Sequence, residues 1–162
     1  MGKKIITALH LEGFFNFVSL KQKIRYTLGK QERLKSRKAI EHLFKQGKSF
    51  SFFPIRVLYI LEQATILQNT NPGKFDNTRL QAGFTVSSRN FKKAVERNRI
   101  KRLMREAYRL QKNDLQQLPA LDHLNLSLFL IYVGKELPEY KQLFEKMEYV
   151  LKRMLKLVND QG

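Results

Sequence analysis

The most informative stretch of the sequence covers residues 80–109 and reads LQAGFTVSSRNFKKAVERNRIKRLMREAYR. In its first part, apolar side chains occupy every second position from Leu80 to Val86, which is the period of a strand with one buried face. In its second part, apolar side chains recur at the spacing of one helical face. They are Ile100, Leu103, Met104, Ala107 and Leu110. The stretch therefore predicts a half-buried strand followed by an amphipathic helix over residues 90–112.

The predicted helix carries more positive charge than its own acidic residues can balance. Residues 89–109 contain nine Lys and Arg side chains but only Glu96 and Glu106, a net charge of +7 for this segment. A solvated helix face usually pairs its cations with acids one turn away, and two acids cannot do so for nine cations. The face opposite the apolar stripe consists of Asn98, Lys101, Arg102, Arg105 and Arg109, with Arg97 and Arg99 at its borders. Planar guanidinium groups donate paired hydrogen bonds to phosphate, so this face predicts contact with a nucleic acid.

The composition of the whole chain favours the same partner. Lys and Arg total 31 against 14 Asp and Glu, a formal net charge of +17 over 162 residues. An excess of this size attracts polyanions, of which nucleic acid is the first candidate and an anionic membrane surface the second. No apolar run approaches the ~20 residues of a membrane span, so we expect no membrane partner. Cysteine is absent, which excludes disulfides and thiolate metal sites and fits a reducing cytoplasm.

The remaining sequence predicts one α+β domain. A first helix is capped by Ser36 and ended by Gly47, and a last helix begins near Pro138. Four strands are predicted, over residues 49–53, 55–61, 80–87 and 126–133. The expected order is α-β-β-β-α-β-α, a four-stranded sheet packed with helices.

The domain boundaries follow from where these patterns begin and end. Residues 1–28 show neither strand nor helix periodicity and are expected to form a poorly ordered extension. One folded domain is expected over residues 29–158, and residues 159–162 form a tail.

Several segments of the chain resemble the protein subunit of bacterial ribonuclease P. The basic helix RNRIKRLMREAY, residues 97–108, carries most of the resemblance because it follows the strand residues GFTVS, 83–87. Shorter likenesses are RLK at 33–35, FKQG at 44–47, VLY at 57–59 and KAV at 93–95. The resemblance spans roughly residues 26–157, with the last third similar only in pattern.

This resemblance implies both a fold and an activity. Members of the family bind a large catalytic RNA and assist removal of the 5′ leader from precursor tRNA. Catalysis and its Mg²⁺ ions belong to the RNA, so no cofactor bound by the protein and no small-molecule substrate are expected. The fold is expected to contain a left-handed βαβ crossover, against the usual right-handed rule. The expected localisation is cytoplasmic.

The resemblance also implies the roles of particular residues. The catalytic RNA is expected to contact Arg89, Lys92, Lys93, Arg97, Asn98, Arg99, Lys101, Arg102 and Arg105. A cleft between the first helix and the sheet is expected to hold the single-stranded leader. Its expected lining is Ile40, Phe44, Tyr59 and Phe84.

Two other classes of function also fit a basic helix. A stand-alone ribosomal or DNA-binding protein would present one, although a helix-turn-helix lacks the strands predicted here. A protein nuclease would need clustered carboxylates or a general base with a partner. Asp76, Asp114, Asp122 and Asp160 are all expected in loops or the tail, and the three histidines are far apart in sequence. We therefore expect no catalytic side chains and no metal site in the protein.

Overall fold

A computed structural model describes residues 26–63 and 79–160. This part of the chain contains four strands, β1 (Lys48–Phe52), β2 (Ile55–Gln63), β3 (Leu80–Val86) and β4 (Leu124–Tyr132). Its helices are α1 (Arg37–Gln46), α2 (Ala94–Gln111), α3 (Asn113–Gln116) and α4 (Tyr140–Asn159), with a 3₁₀ turn at Pro119–Asp122. The α+β class and the predicted element order are confirmed. The expected extension falls outside the described residues up to position 25, as do residues 64–78 between β2 and β3.

The four strands form one sheet in the order β1-β2-β4-β3. The pairs β1–β2 and β2–β4 are antiparallel, whereas β3 and β4 are parallel. Parallel strands cannot be joined by a tight turn, so the chain between β3 and β4 must cross over, and α2 lies in this crossover. The left-handed sense that the family resemblance implies for this connection stays a prediction.

One face of the sheet is closed by α2 and α4. Alternate residues of β2, β3 and β4 point into this layer and meet the apolar stripes of both helices. Ile100, Met104 and Ala107 of α2, and Met147 and Met154 of α4, are fully buried there. The main hydrophobic core therefore lies between the sheet and the basic helix, which fixes the orientation of the helix.

The opposite face is covered in part by α1. Ser36 caps this helix by accepting a hydrogen bond at 3.4 Å from the backbone N–H of Ala39. Beneath α1 lies a small apolar cluster formed by Leu34, Leu43, Leu58 and Phe129. Gly83 of β3 makes room for it, because a Cβ at this position would lie 2.4 Å from the Phe129 ring.

Residues 31–34 run along β3, which is an edge strand of the sheet. The backbone N–H of Leu34 donates to Ala82 O at 3.0 Å, and Ala82 N donates to Glu32 O at 2.8 Å. The Glu32 side chain accepts a hydrogen bond from Lys112, whose side chain is 2% exposed. This segment therefore covers an edge that would otherwise offer unpaired backbone groups, and it is tied to the end of α2.

Helix α2 begins at Ala94, so the predicted start at residue 90 was wrong by about one turn. Phe91 is only 4% exposed and packs against Tyr132, with ring centroids 6.0 Å apart. The Asn90 side chain donates to the carbonyls of Val133 and Gly134 at 2.9 and 3.0 Å. These two anchors hold residues 90–93 against the end of β4 in a non-helical path.

Candidate nucleic-acid interface

The outer face of α2 presents cations to solvent, as the sequence predicts. Asn98, Arg99, Arg102 and Arg105 are exposed, and Lys101 is half-buried on the flank. The opposite stripe is held in the core, so these side chains cannot turn inward without unpacking the sheet. The sheet therefore serves as a rigid base for a row of guanidinium groups.

The two acidic residues of the helix are already paired within it. Glu106 accepts a hydrogen bond from Arg109 at 2.5 Å, and Lys93 lies 4.0 Å from Glu96. The hydrogen bond from Arg109 lowers the pKa of Glu106, because it stabilises the charged carboxylate. Arg109 also donates to the backbone carbonyl of Tyr26. Arg109 is therefore engaged in holding the protein together, although the helical wheel places it on the outward face.

Arg97 also has a structural contact. Its Nη1 atom donates to the carbonyl oxygens of Phe91 and Lys92, at 2.8 and 2.6 Å. These carbonyls belong to the segment that precedes α2, where no side chain caps the helix at Lys93. Arg97 therefore fixes the path of the backbone that carries Arg89, Lys92 and Lys93, all three of which are exposed. The sequence could not predict this role of Arg97. The spacing of charged and apolar residues is the same whether the side chain points back to its own loop or out to solvent.

The residues expected to form a leader cleft are divided between the two faces of the sheet. Ile40 and Phe44 lie on α1, where Phe44 is 52% exposed and its ring meets Phe129 edge-on at 5.4 Å. Tyr59 is 6% exposed in the main core on the other face. Phe84 packs on the same core and meets the buried ring of Tyr108 at 5.4 Å. The prediction was therefore wrong for Tyr59 and Phe84, which cannot line a cleft beneath α1.

A different set of residues forms the open part of the α1 face. Ser51, Arg56, Ile131 and Thr85 are paired across the four strands in one row. Ser51 and Arg56 are exposed, and Ile131 and Thr85 are half-buried. The neighbouring row contains Leu58 and Phe129, which α1 covers. The first row, which we call the open row, lies beside the exposed Phe44 ring. Its one cation is Arg56.

Across residues 26–63 and 79–160, no three His, Cys, Asp or Glu side chains are grouped so that they could hold a metal ion. Over the same residues, no helix has the length and apolar character needed to cross a membrane. Asp114 and Asp122, expected in loops, lie in α3 and in the 3₁₀ turn.

The fold and this surface define a basic α+β protein whose cationic helix lies in the crossover that connects two parallel strands. Comparison with known proteins specifies the class further. The family model for Ribonuclease P matches residues 28–155, so the chain belongs to the bacterial ribonuclease P protein family. It is thus similar to the accessory protein subunit of an endoribonuclease that is a ribonucleoprotein, and its partner is an RNA.

Individual relatives and one solved structure agree with this membership. The chain is 32% identical to the "Ribonuclease P protein component" of Porphyromonas gingivalis over 129 residues, covering 80% of this chain and 87% of the relative. It is 33% identical to that of Chlorobium phaeobacteroides over 132 residues, covering 77% and 86%. The solved RNase P protein of Thermotoga maritima matches with a TM-score of 0.54 and 26% identity, covering 75% of this chain and 96% of that one.

Proposed function

We propose that the protein binds the catalytic RNA of ribonuclease P through α2 and the segment before it. The observation that carries this proposal is the uncompensated cationic face of α2, held outward by the core. Its two acids pair with Lys93 and Arg109, so the guanidinium groups of Arg99, Arg102 and Arg105 stay available for phosphate. The side chains assigned to direct contact are Arg89, Lys92, Lys93, Asn98, Arg99, Lys101, Arg102 and Arg105. Arg97 contributes chiefly by shaping the loop.

The second part of the proposal concerns the substrate, precursor tRNA. The open row of the α1 face, together with Phe44 and Ile40, is the surface that we assign to the single-stranded 5′ leader. Single strands are bound by aromatic rings beside cations, and Phe44 with Arg56 offers one of each. Mg²⁺ acts through the RNA subunit in this proposal, and the protein works in the cytoplasm.

The first experiment is cleavage of precursor tRNA at low Mg²⁺ by bacterial ribonuclease P RNA, with and without the protein. We expect the protein to restore cleavage at the correct 5′ position, because its cations replace part of the screening that Mg²⁺ provides. If the protein binds the RNA but does not restore cleavage, it is a general RNA-binding protein and not the subunit proposed. Specific cleavage by the protein without RNA would overturn the accessory role.

A second experiment tests the role of α2. Arg99→Ala combined with Arg102→Ala should weaken assembly with the RNA by about tenfold for each lost charged hydrogen bond. The dependence of log Kd on log salt should fall by about 0.9 for each phosphate contact removed from a duplex. Arg37→Ala combined with Lys152→Ala is the matched control, because it also removes two exposed cations, which are paired with Glu41 and Glu148. Equal effects of the two changes would mean that net charge alone, and not this face, determines binding.

A further inference from the structure

The edge of the molecule where β1 meets α4 carries an exposed aromatic cluster, which we call the β1–α4 patch. It consists of Phe52, of Lys146 and Tyr149, which both contact Phe52, and of Phe53, the exposed residue that follows Phe52 in the turn between β1 and β2. The rings of Phe52 and Tyr149 are stacked, with centroids 5.1 Å apart and an interplanar angle of 21°. Lys146 Nζ lies over the Phe52 ring, 5.2 Å from its centroid. None of these residues belongs to α2 or to the α1 face.

The three aromatic rings of the patch are all exposed to solvent, so packing in the core does not account for them. Tyr149 is 55% exposed and Phe52 is 39% exposed, even though they contact each other. Their stack can be understood as a contact that holds the edge strand against α4. Phe53 is 71% exposed, so its ring contributes little to the core. Grouped aromatic side chains left in water on a small protein commonly mark a binding surface.

The charges beside the patch indicate what kind of partner it fits. On α4, residues that share a face with Tyr149 are spaced by three and four positions, as Lys146, Arg153 and Lys156. Among the described residues, these three cations form no ion pair. The same spacing also places on this face Glu145 and Lys152, the latter paired with Glu148. The surface thus combines open rings with a line of cations.

We propose that the β1–α4 patch is a second RNA-binding surface, which takes a single-stranded segment by stacking a base on Phe53 or Tyr149. The cations of α4 then contact its phosphates. Aromatic platforms beside cationic side chains bind single strands with little sequence preference. A docked protein strand is less well matched, because β1 has five residues and begins with Lys48, features that discourage strand addition at an edge. This site is separate from the surfaces assigned to the catalytic RNA and the leader.

The test uses the full chain and a short fluorescein-labelled oligouridine, which forms little structure of its own. Phe53→Ala should weaken binding by about fivefold or more, the lower limit for losing one stacked base. Phe53→Leu should weaken it similarly because Leu is apolar but has no ring face, whereas Phe53→Tyr should bind like the wild type. Since Phe53 is exposed, all three variants should keep the wild-type melting temperature, which thermal unfolding checks.

Cross-linking separates this site from the other RNA surfaces. An oligouridine carrying photoreactive thiouridine should cross-link to the peptides that contain Phe53 or Tyr149, and should still do so when Arg99 and Arg102 are replaced with Ala. Cross-links confined to α1, α2 or the α1 face would overturn the proposal. Binding of oligouridine by Phe53→Ala with wild-type affinity would also overturn it. So would wild-type affinity of Phe53→Leu alone, because that result indicates an apolar contact without stacking.

One further outcome identifies a different occupant. Unchanged RNA binding, with a concentration-dependent change of mass in sedimentation that Phe53→Ala abolishes, would assign the patch to a second copy of the chain and overturn the RNA proposal. None of these results depends on the precursor-tRNA cleavage assay. Failure here would therefore leave the proposed function standing, and failure of cleavage would leave this site to be judged separately.

Discussion

The two faces of the sheet differ in how completely they are covered. Helices α2 and α4 close one face, so that Tyr59 and Leu130 are nearly or fully buried there. On the other face α1 covers one row of residues and leaves the row with Arg56 open. The closed face determines stability and holds α2 in place, whereas the open face is free to bind. An aromatic residue in a strand therefore has a role that depends on which face it joins, and adjacent residues in a strand join opposite faces.

The largest effect should come from emptying the closed face. Tyr59→Ala removes a ring that is 6% exposed in the main core. We expect it to lower the free energy of unfolding by about 3 to 5 kcal/mol, from lost burial and the cavity left behind. Urea unfolding measures this change, and Tyr59→Phe, which keeps the ring, is the control. If the Tyr59→Ala protein is as stable as the wild type but is defective in leader binding, Tyr59 belongs to the leader-binding cleft after all.

A smaller loss should follow from breaking the ion pair at the rim of the closed layer. Glu32→Gln leaves the ammonium group of Lys112 buried without a counter-charge, which should cost about 3 kcal/mol of stability, the lower end of the range for such a change, because Glu32 is partly exposed. Lys112→Met should cost less, because Glu32 can still accept from the Gly29 N–H at 2.6 Å and is closer to solvent. Chemical denaturation of both variants makes the comparison. The reverse order of stabilities would show that Lys112 is not effectively desolvated.

On the open face, a ring should matter more for binding than for stability. Phe44→Ala should cost about 1 kcal/mol of unfolding free energy, the value of one edge-to-face pair. Its effect on affinity should be about tenfold for precursor tRNA and near zero for tRNA without a leader. Leu43→Ala is the neighbouring control, because Leu43 is fully buried and should cost 2 to 5 kcal/mol. Equal loss of affinity for both tRNAs would remove Phe44 from the leader site.

The smallest change in stability is expected at Arg56. Arg56→Gln should alter the free energy of unfolding by about 0.5 kcal/mol or less, because the side chain is exposed. If Arg56 contacts a leader phosphate, the salt dependence of leader binding should fall by about 0.7, the value for one contact with a single strand. Arg37→Gln is a charge-matched control on α1, where Arg37 pairs with Glu41 at 3.0 Å. The open row would lose its assigned role if both changes reduced the salt dependence equally.

Hydrophobic periodicity was sufficient to predict the elements and their order. The alternation from Leu80 to Val86 and the helical spacing around Met104 are both local patterns, and each was confirmed. The basic face of α2 could also be predicted, because the same spacing that buries one stripe exposes the other. Hydrophobic periodicity could not predict which residues contact each other across the sheet.

Strand β2 shows why the face of a residue was missed. Its sequence IRVLYIL is apolar on both sides over much of its length, so alternation does not distinguish the side of Tyr59 from the side of Leu58. The start of α2 was missed for a related reason. The burial of Phe91 and the side-chain hydrogen bonds of Asn90 depend on the end of β4, more than 40 residues away in sequence. The pairing of Glu32 with Lys112 spans 80 positions and leaves no local trace.

The position of α2 in the chain connects the proposed RNA binding to folding. Because α2 joins two strands that pair in parallel, its outer face is displayed only after β3 and β4 have come together around it. A ligand that binds the folded form alone stabilises it by mass action, by about 2.7 kcal/mol when its concentration is a hundredfold above Kd. In a cell that makes more of the protein than of the RNA, the surplus protein chains would lack this stabilisation. They would unfold more often and would be more accessible to proteases. The RNA would then set the lifetime of its own protein subunit, and the two would be kept in proportion without a separate regulator.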